Sequence, residues 1–378
     1  MQFRLSSKGL LLPVLIALFS LAHGLSAGAA QSFERESSIT TKFMPVNAPR
    51  ACRLGLTVTS GFEGYNVARL GIGSYLNWGM SATPVTPNGI DFIQVVRVKD
   101  DAFDEQLSKI PDVARARPGS YWLVGNEPDT AYGAEWGGQD NVSPETYAER
   151  YFAAYSAIKA SDPTASVGIG GITQPTPARL EYLNRVLAAH KNRYGSLPPA
   201  DFWHIHAFLL NEVPGEWGAG MPPDAAGNPY TSAPEVIDPE QSDSLVLFKK
   251  RITAFRTWMA QNDQRSKGLW ITEFGVLMPS DPGLGLYDIS IRRTRNFLQQ
   301  SFYYLNTATD RKLGVASDGN RLVQRWYWWT LSADARQIGG GLYDVRPGQP
   351  AKSTILYDAF ASFGRSYGCW NPAPQKSR

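Results

Sequence analysis

The sequence predicts a parallel α/β fold, in the form of a single-domain (β/α)8 barrel of the TIM type. Three observations carry this. Short apolar runs alternate with longer segments of helical pattern, the order that builds βαβ units. Several of the runs are nearly continuous in apolar residues, as strands buried on both faces must be. There are eight of them, the number that closes a barrel.

In chain order the candidate strands are Leu54–Val58, Ile72–Trp78, Phe92–Val98, Tyr121–Asn126, Ser166–Ile172, Phe202–Phe208, Leu269–Phe274 and Arg325–Leu331. Candidate helices occupy Pro144–Ala160, Ala178–Lys191, Ser244–Gln261 and Ser290–Leu305. Ser143 followed by Pro144 is an N-cap with proline at the first helical position. The rival fold, a doubly wound open sheet, wants a glycine turn for phosphate after an early strand. The nearest match, Gly168-Ile169-Gly170-Gly171, lies mid-chain inside a strand and lacks the third glycine. One connection is unusually long: residues 209–243, rich in Pro, Gly and Ala, follow the sixth strand. Loops of that length are uncommon without a task, and on a barrel this one would rise on the face where sites are built. It carries Trp217 and Tyr230, and a wall or lid over that face is the expectation.

The flanks read differently. Arg4 and Lys8 precede an apolar stretch from Gly9 to Ala22, and Ser26-Ala27-Gly28-Ala29-Ala30 supplies small residues for cleavage. Residues 1–30 are therefore expected to be a signal peptide, with the protein secreted or periplasmic and not held in a membrane after cleavage. Residues 31–50 form a polar arm, 51–370 the barrel and 371–378 a tail. The two cysteines, Cys52 and Cys369, stand near the ends of the mature chain, and in an oxidising compartment they are expected to pair. The charge balance, 37 basic against 34 acidic residues, argues against a nucleic-acid partner, which needs a basic excess on one face.

Two strands end in a lone carboxylate. Tyr121-Trp122-Leu123-Val124-Gly125-Asn126-Glu127-Pro128-Asp129 runs from an apolar strand into Glu127, and Leu269-Trp270-Ile271-Thr272-Glu273-Phe274-Gly275 does the same into Glu273. By strand count these are the fourth and seventh. An acid at such a position is costly unless it is solvated, paired or used.

Asn126-Glu127-Pro128 after one strand and Thr272-Glu273-Phe274-Gly275 after a later one resemble the clan A glycoside hydrolases. The run Asn126–Asp129, taken with Tyr75-Leu76-Asn77-Trp78-Gly79, is similar to the endo-β-1,3-glucanase-like barrels of that clan. The resemblance spans about residues 53–331 and concentrates in the two glutamate motifs. It implies a retaining hydrolase of O-glycosidic bonds, with Glu127 as acid/base and Glu273 as nucleophile. In such chemistry one carboxyl protonates the leaving oxygen while the other attacks the anomeric carbon. It further implies that Asn126 meets the sugar 2-hydroxyl, that His206 corresponds to the histidine of the clan's His-x-Tyr strand end, and that Trp329 is the platform under the sugar. A one-residue slip of register would substitute Trp328. Phe208 stands where a tyrosine is common, which leaves the nucleophile's hydrogen bond to another donor, with His206 one option. No arginine ends the second strand; Arg97 on the third is the nearest, and Asn77 and Trp78 occupy the second strand's end. His204, Trp78, Trp136 and Trp217 complete the candidate sugar-binding side chains, in a chain with 11 Trp and 17 Tyr.

Two rival functions were weighed. His204-Ile205-His206 has the look of a metal pair, yet after removal of His23 only His190, His204 and His206 remain, too few for a histidine-rich metal centre. No metal or other cofactor is therefore expected, and the expected partner is a polysaccharide or oligosaccharide. The second rival is a carbohydrate-binding barrel without catalysis, since a barrel alone proves no function.

Overall fold

The computed structural model describes residues 53–100, 102–131, 138–224, 228–280 and 289–369. The expected leader, arm and tail, together with Trp136 and Cys52, lie outside the described residues, and so therefore does the Cys52–Cys369 pairing.

One parallel sheet closes into a barrel. Its strands are β1 (Leu54–Thr57), β2 (Ser74–Leu76), β3 (Asp91–Phe92 and Gln94–Val96), β4 (Tyr121–Val124), β5 (Ser166–Ile172), β6 (Phe202–His206), β7 (Gly268–Phe274) and β8 (Arg325–Trp328). β3 is interrupted only at Ile93. Its first half pairs with β2 and its second with β4, and Ile93 N donates to Tyr75 O at 2.9 Å. β1 pairs with both β2 and β8, which completes the ring. All eight strands fall where the apolar runs placed them. Most end earlier than the runs suggested, because the last residues of each run peel away to form the loops of the C-terminal rim.

The helices are α1 (Phe103–Ala116), α2 (Pro144–Ser161), α3 (Pro177–Tyr194), α4 (Leu245–Gln261), α5 (Ile291–Thr307) and α6 (Ile355–Tyr367). α2 begins as its sequence dictates: the Ser143 hydroxyl accepts from Thr146 N at 3.2 Å, with Pro144 at the first position. Two helices escape the sequence pattern. Pro111 sits inside α1 and interrupts its reading as a helix, and α6 lies beyond a small sheet of β9 (Ser332–Ala333), β10 (Tyr343–Asp344) and β11 (Lys352–Ser353). The connections β1→β2 and β2→β3 contain no α-helix, only a short 3-10 turn at Pro87–Gly89. Strict strand–helix alternation thus starts at β3.

Period-two alternation sorts the core into two shells. Leu54, Leu56, Trp122, Val124, Trp203, Ile205 and Trp326 face the helices. Leu76, Ile93, Leu123, Phe202, Trp270 and Tyr327 face the barrel axis. The lumen is unusually aromatic. Phe202 stacks on Trp270 with centroids 4.1 Å apart, and the Arg325 guanidinium lies 4.4 Å over Tyr121 and 4.6 Å over Trp270. Such bulk fits because two lumen positions are glycine. A Cβ on Gly55 would fall 2.3 Å from the Tyr327 ring, and one on Gly168 would fall 2.4 Å from Phe202.

Overpacking a filled core costs about 1–3 kcal/mol. Gly55→Ala should therefore lower the thermal midpoint measurably. Gly268→Ala, where a Cβ meets ordinary contacts at 3.7 Å, should leave it nearly unchanged.

Candidate active site

The two glutamates meet at the C-terminal mouth of the barrel, and local backbone features bring them there. After β4 the alternation would aim residues 123, 125 and 127 inward. Glu127 completes the turn with a left-handed φ of 48°, held by its N–H donating to Gly171 O at 2.8 Å. On β7 the plain alternation would send Glu273 outward, since Trp270 points in. Register shifts against β6 and β8 beyond Ile271 reverse this. Phe274 consequently packs in the outer shell, and Glu273 turns to the mouth. Such bulges re-aim side chains beside functional sites.

His206, at the end of β6, stands between the two acids. Its Nδ1 lies 2.9 Å from Glu127 Oε1, and its Nε2 lies 3.4 Å from Glu273 Oε1. One ligating atom from each of Glu127, His206 and Glu273 can be chosen so that all lie within 4.8 Å of one another. The Trp78 indole N–H donates to Glu273 Oε1. Both glutamates are nearly buried, 7% and 6% exposed.

This crowding sets the electrostatics. Burial raises the Glu273 pKa to about 7, with the charge on Glu127 adding to the rise against the pull of His206 and the Trp78 bond. Burial also acts to raise Glu127, but the His206 hydrogen bond and charge outweigh it, with help from Gln139 and Arg179, and its pKa falls. For His206, burial opposes the cation, yet the flanking carboxylates prevail and its pKa rises. Two carboxylates so close cannot both ionise readily, so the pair keeps one proton into the neutral range. His204, one inward position below on β6, is driven down to about 3 by burial and by the charge of His206. It is a neutral imidazole in contact with Thr272, Nδ1 to Oγ1 at 3.4 Å.

The remaining sequence candidates separate cleanly. Asn126 stays at the site, its Nδ2 donating to Gly138 O at 3.1 Å. Trp329 faces the lumen shell, its ring 6.3 Å from Phe208 and nearly perpendicular to it, with a buried Nε1 that has no protein partner. Trp328 instead packs outward and donates to Gly340 O, which resolves the register in favour of Trp329. His204 does not line the mouth, because it lies a layer beneath His206. Asn77 is exposed, since the left-handed turn at Trp78, φ 60°, sends the tryptophan rather than its neighbour inward. Trp217 packs against the outer core. The 209–243 segment follows it, lying on α3: Arg185 donates to the carbonyls of Asn228 and Pro229 and sits over the Tyr230 ring. Residues 228–230 of that connection thus brace α3, while Leu210 at its start packs against the lumen cluster that holds Trp78 and Trp329.

The residues that hold the dyad's loop in place were not foreseen. Asp140 accepts from Asn126 N at 2.7 Å, Val98 N at 3.0 Å and Arg97 Nε at 2.6 Å. Arg179, in the first turn of α3, is fully buried and binds Asp129 at 2.6 Å and Glu212 at 2.9 Å. It thereby ties the loop that carries Glu127 to the start of the long connection. Asp129 stood in the motif already quoted, but its partners Thr173 and Arg179 lie 44 and 50 positions away, and no local spacing announces them. A surface cavity of about 620 Å³ between α3 and α4 is lined by Leu180, Asn184, Trp258 and neighbours, with no carboxylate among its lining residues.

Comparison with known proteins agrees with this architecture. No protein-family model matches the chain, and no curated protein sequence matches it. Among solved structures, a monomeric β-xylosidase from Caulobacter crescentus CB15 aligns at 15% identity over 82% of this chain and 67% of its own, with a TM-score of 0.50. A glucosidase from Croceicoccus marinus aligns at 12% identity over 85% and 69%, also at 0.50. A GH128 oligosaccharide-binding protein from Trichoderma gamsii aligns at 12% over 86% and 97%, at 0.49. At identities this low the likeness to the first two establishes the fold alone, a (β/α)8 barrel. The narrower likeness to endo-β-1,3-glucanase-like barrels finds no support among them.

Removing one member of a buried ionic cluster strands its partners, at a cost of about 3–5 kcal/mol. Arg179→Met should accordingly shift the urea unfolding midpoint strongly downward at neutral pH, where Asp129 and Glu212 would be left without their shared cation.

Proposed function

We propose that this protein is an exported, retaining glycoside hydrolase acting on a β-linked oligosaccharide or polysaccharide, with Glu127 as acid/base and Glu273 as nucleophile. The observation that carries the reading is the dyad itself, two buried carboxyls close together with a histidine between them at a barrel mouth. Retaining enzymes hold their carboxyls about 5–5.5 Å apart, and inverting ones leave about 6.5–9.5 Å for a water. Side-chain atoms grouped within 4.8 Å support the retaining geometry.

In the first half-reaction the Glu127 carboxyl gives its proton to the glycosidic oxygen as a Glu273 oxygen bonds to the anomeric carbon and the leaving group departs. In the second, Glu127 takes a proton from water, the water oxygen bonds to the anomeric carbon, and the ester to Glu273 breaks. Trp329, with its unpartnered N–H, supplies a platform and one hydrogen bond for the sugar, and Asn126 serves the 2-hydroxyl. The competent state needs one proton on the pair. In the free protein that proton rests on the Glu273 side, and chemistry requires it on Glu127. His206 touches both carboxyls and offers the path between them.

The sign of the pH dependence follows. Below the lower pKa of the pair both acids are protonated and no nucleophile exists; above about 7 both are ionised and no acid exists. The profile of kcat/KM should be a bell whose alkaline limb falls near neutrality. Release of reducing ends from β-glucans, xylan, mannan and arabinogalactan should appear on one polymer and collapse in Glu127→Ala and Glu273→Ala. A 2-fluoro glycoside of the active sugar should leave a mass label on the peptide holding Glu273. Tight binding of a glycan with no turnover in the wild type would replace this reading with that of a carbohydrate-binding barrel. Mass analysis of the protein recovered from its host tests cleavage within residues 1–30.

A further inference from the structure

We infer that Trp78 is a positioning residue for the nucleophile rather than a stacking surface: its indole N–H grips one oxygen of Glu273 and leaves the other free to attack. The inference rests on the reading of Glu273 as nucleophile. Trp78 lies two residues beyond β2, and its left-handed backbone, φ 60°, is a conformation that a bulky residue rarely adopts without support from its surroundings. The turn delivers the ring into the lumen cluster beside Leu76, Phe208 and Trp329, where it is only 8% exposed. A buried indole needs a partner for its N–H, and here that partner is Glu273 Oε1.

The neighbouring positions explain why the bond matters. The side chain two residues beyond His206 is Phe208, which has no hydroxyl to give. Arg97, the nearest arginine, is committed to Asp140 and Gly138. Among the described residues the Trp78 indole is the one hydrogen-bond donor to the Glu273 carboxyl, and His206 Nε2 makes a 3.4 Å contact with the same Oε1. Both therefore hold Oε1, and Oε2 is the oxygen left for the anomeric carbon. A hydrogen bond to a carboxylate favours its ionised form. The same bond assists Glu273 twice: it holds the charge before attack, and it receives the charge again when the ester breaks.

Trp78→Phe separates the two roles, since it keeps an aromatic ring and deletes only the donor edge. Loss of a charge-assisted hydrogen bond should lower kcat about 10- to 100-fold. The alkaline limb of kcat/KM, which Glu273 sets, should also move upward by about one pH unit, with KM little changed. A variant with raised KM, an unmoved alkaline limb and an undiminished kcat would overturn the proposal in favour of a sugar platform. A second measurement is independent of turnover. In ¹⁵N-tryptophan-labelled protein the Trp78 indole proton should resonate downfield and shift upfield in Glu273→Ala. An indole signal indifferent to Glu273→Ala would refute the bond whatever reaction the protein performs. If the wild type proves inactive on every glycan while that signal still responds, the hydrolase reading fails and the Trp78–Glu273 contact stands.

Discussion

Two carboxyl groups held a few ångströms apart, and almost out of reach of water, repel each other and lose their hydration together. Left alone they would both protonate or force the mouth open. The upper half of this molecule is organised around preventing that. His206 comes from β6 between them, in contact with both, and Trp78 comes from the loop after β2 with its N–H on Glu273. A second tier fixes the chain that bears Glu127. Asp140 and Arg97 hold the backbone at Asn126, and Arg179 holds Asp129 from the far side. The second tier is itself buried and ionic, which is weak evidence for net stability but strong evidence for a single arrangement of the loops it joins.

The backbone takes on strain to deliver these groups. Glu127 and Trp78 both sit at positive φ, and β7 loses its regular register just before Glu273. A regular ladder would have satisfied more of the local geometry and turned the nucleophile toward the helices. Departures of this kind gather where side-chain direction matters more than local energy. They contrast with the lower barrel, where alternation is regular and stacked aromatics fill the axis.

Much of the fold was legible in the sequence, because parallel strands buried on both faces must be written in apolar runs and eight such runs admit few closures. The pair Glu127 and Glu273 was legible for the same reason: a charge ending an apolar strand stands out. What could not be read depends on direction or distance. The β7 bulge leaves no mark in composition, so the inward turn of Glu273 came from resemblance alone. Asn77 and Trp78 are adjacent, and only the left-handed turn decides which enters the mouth. His204 and His206 share a strand face, and depth, not pattern, separates a core imidazole from one at the site. Arg179 belongs to a helix whose sequence gives no hint of acids on two distant loops.

The barrel closes at a seam between its first and last strands. β1 and β8 lie side by side, and the Thr57 hydroxyl donates to the carbonyl of Trp328 across 271 positions of chain. Until β8 has been made, β1 has a bare edge, and the lumen aromatics have no closed wall around them. Order in this molecule therefore arrives all together and late. A nascent chain that ends before Arg325 would expose an apolar sheet edge to any neighbour. Assembly thus depends on keeping that edge covered until the final strand arrives.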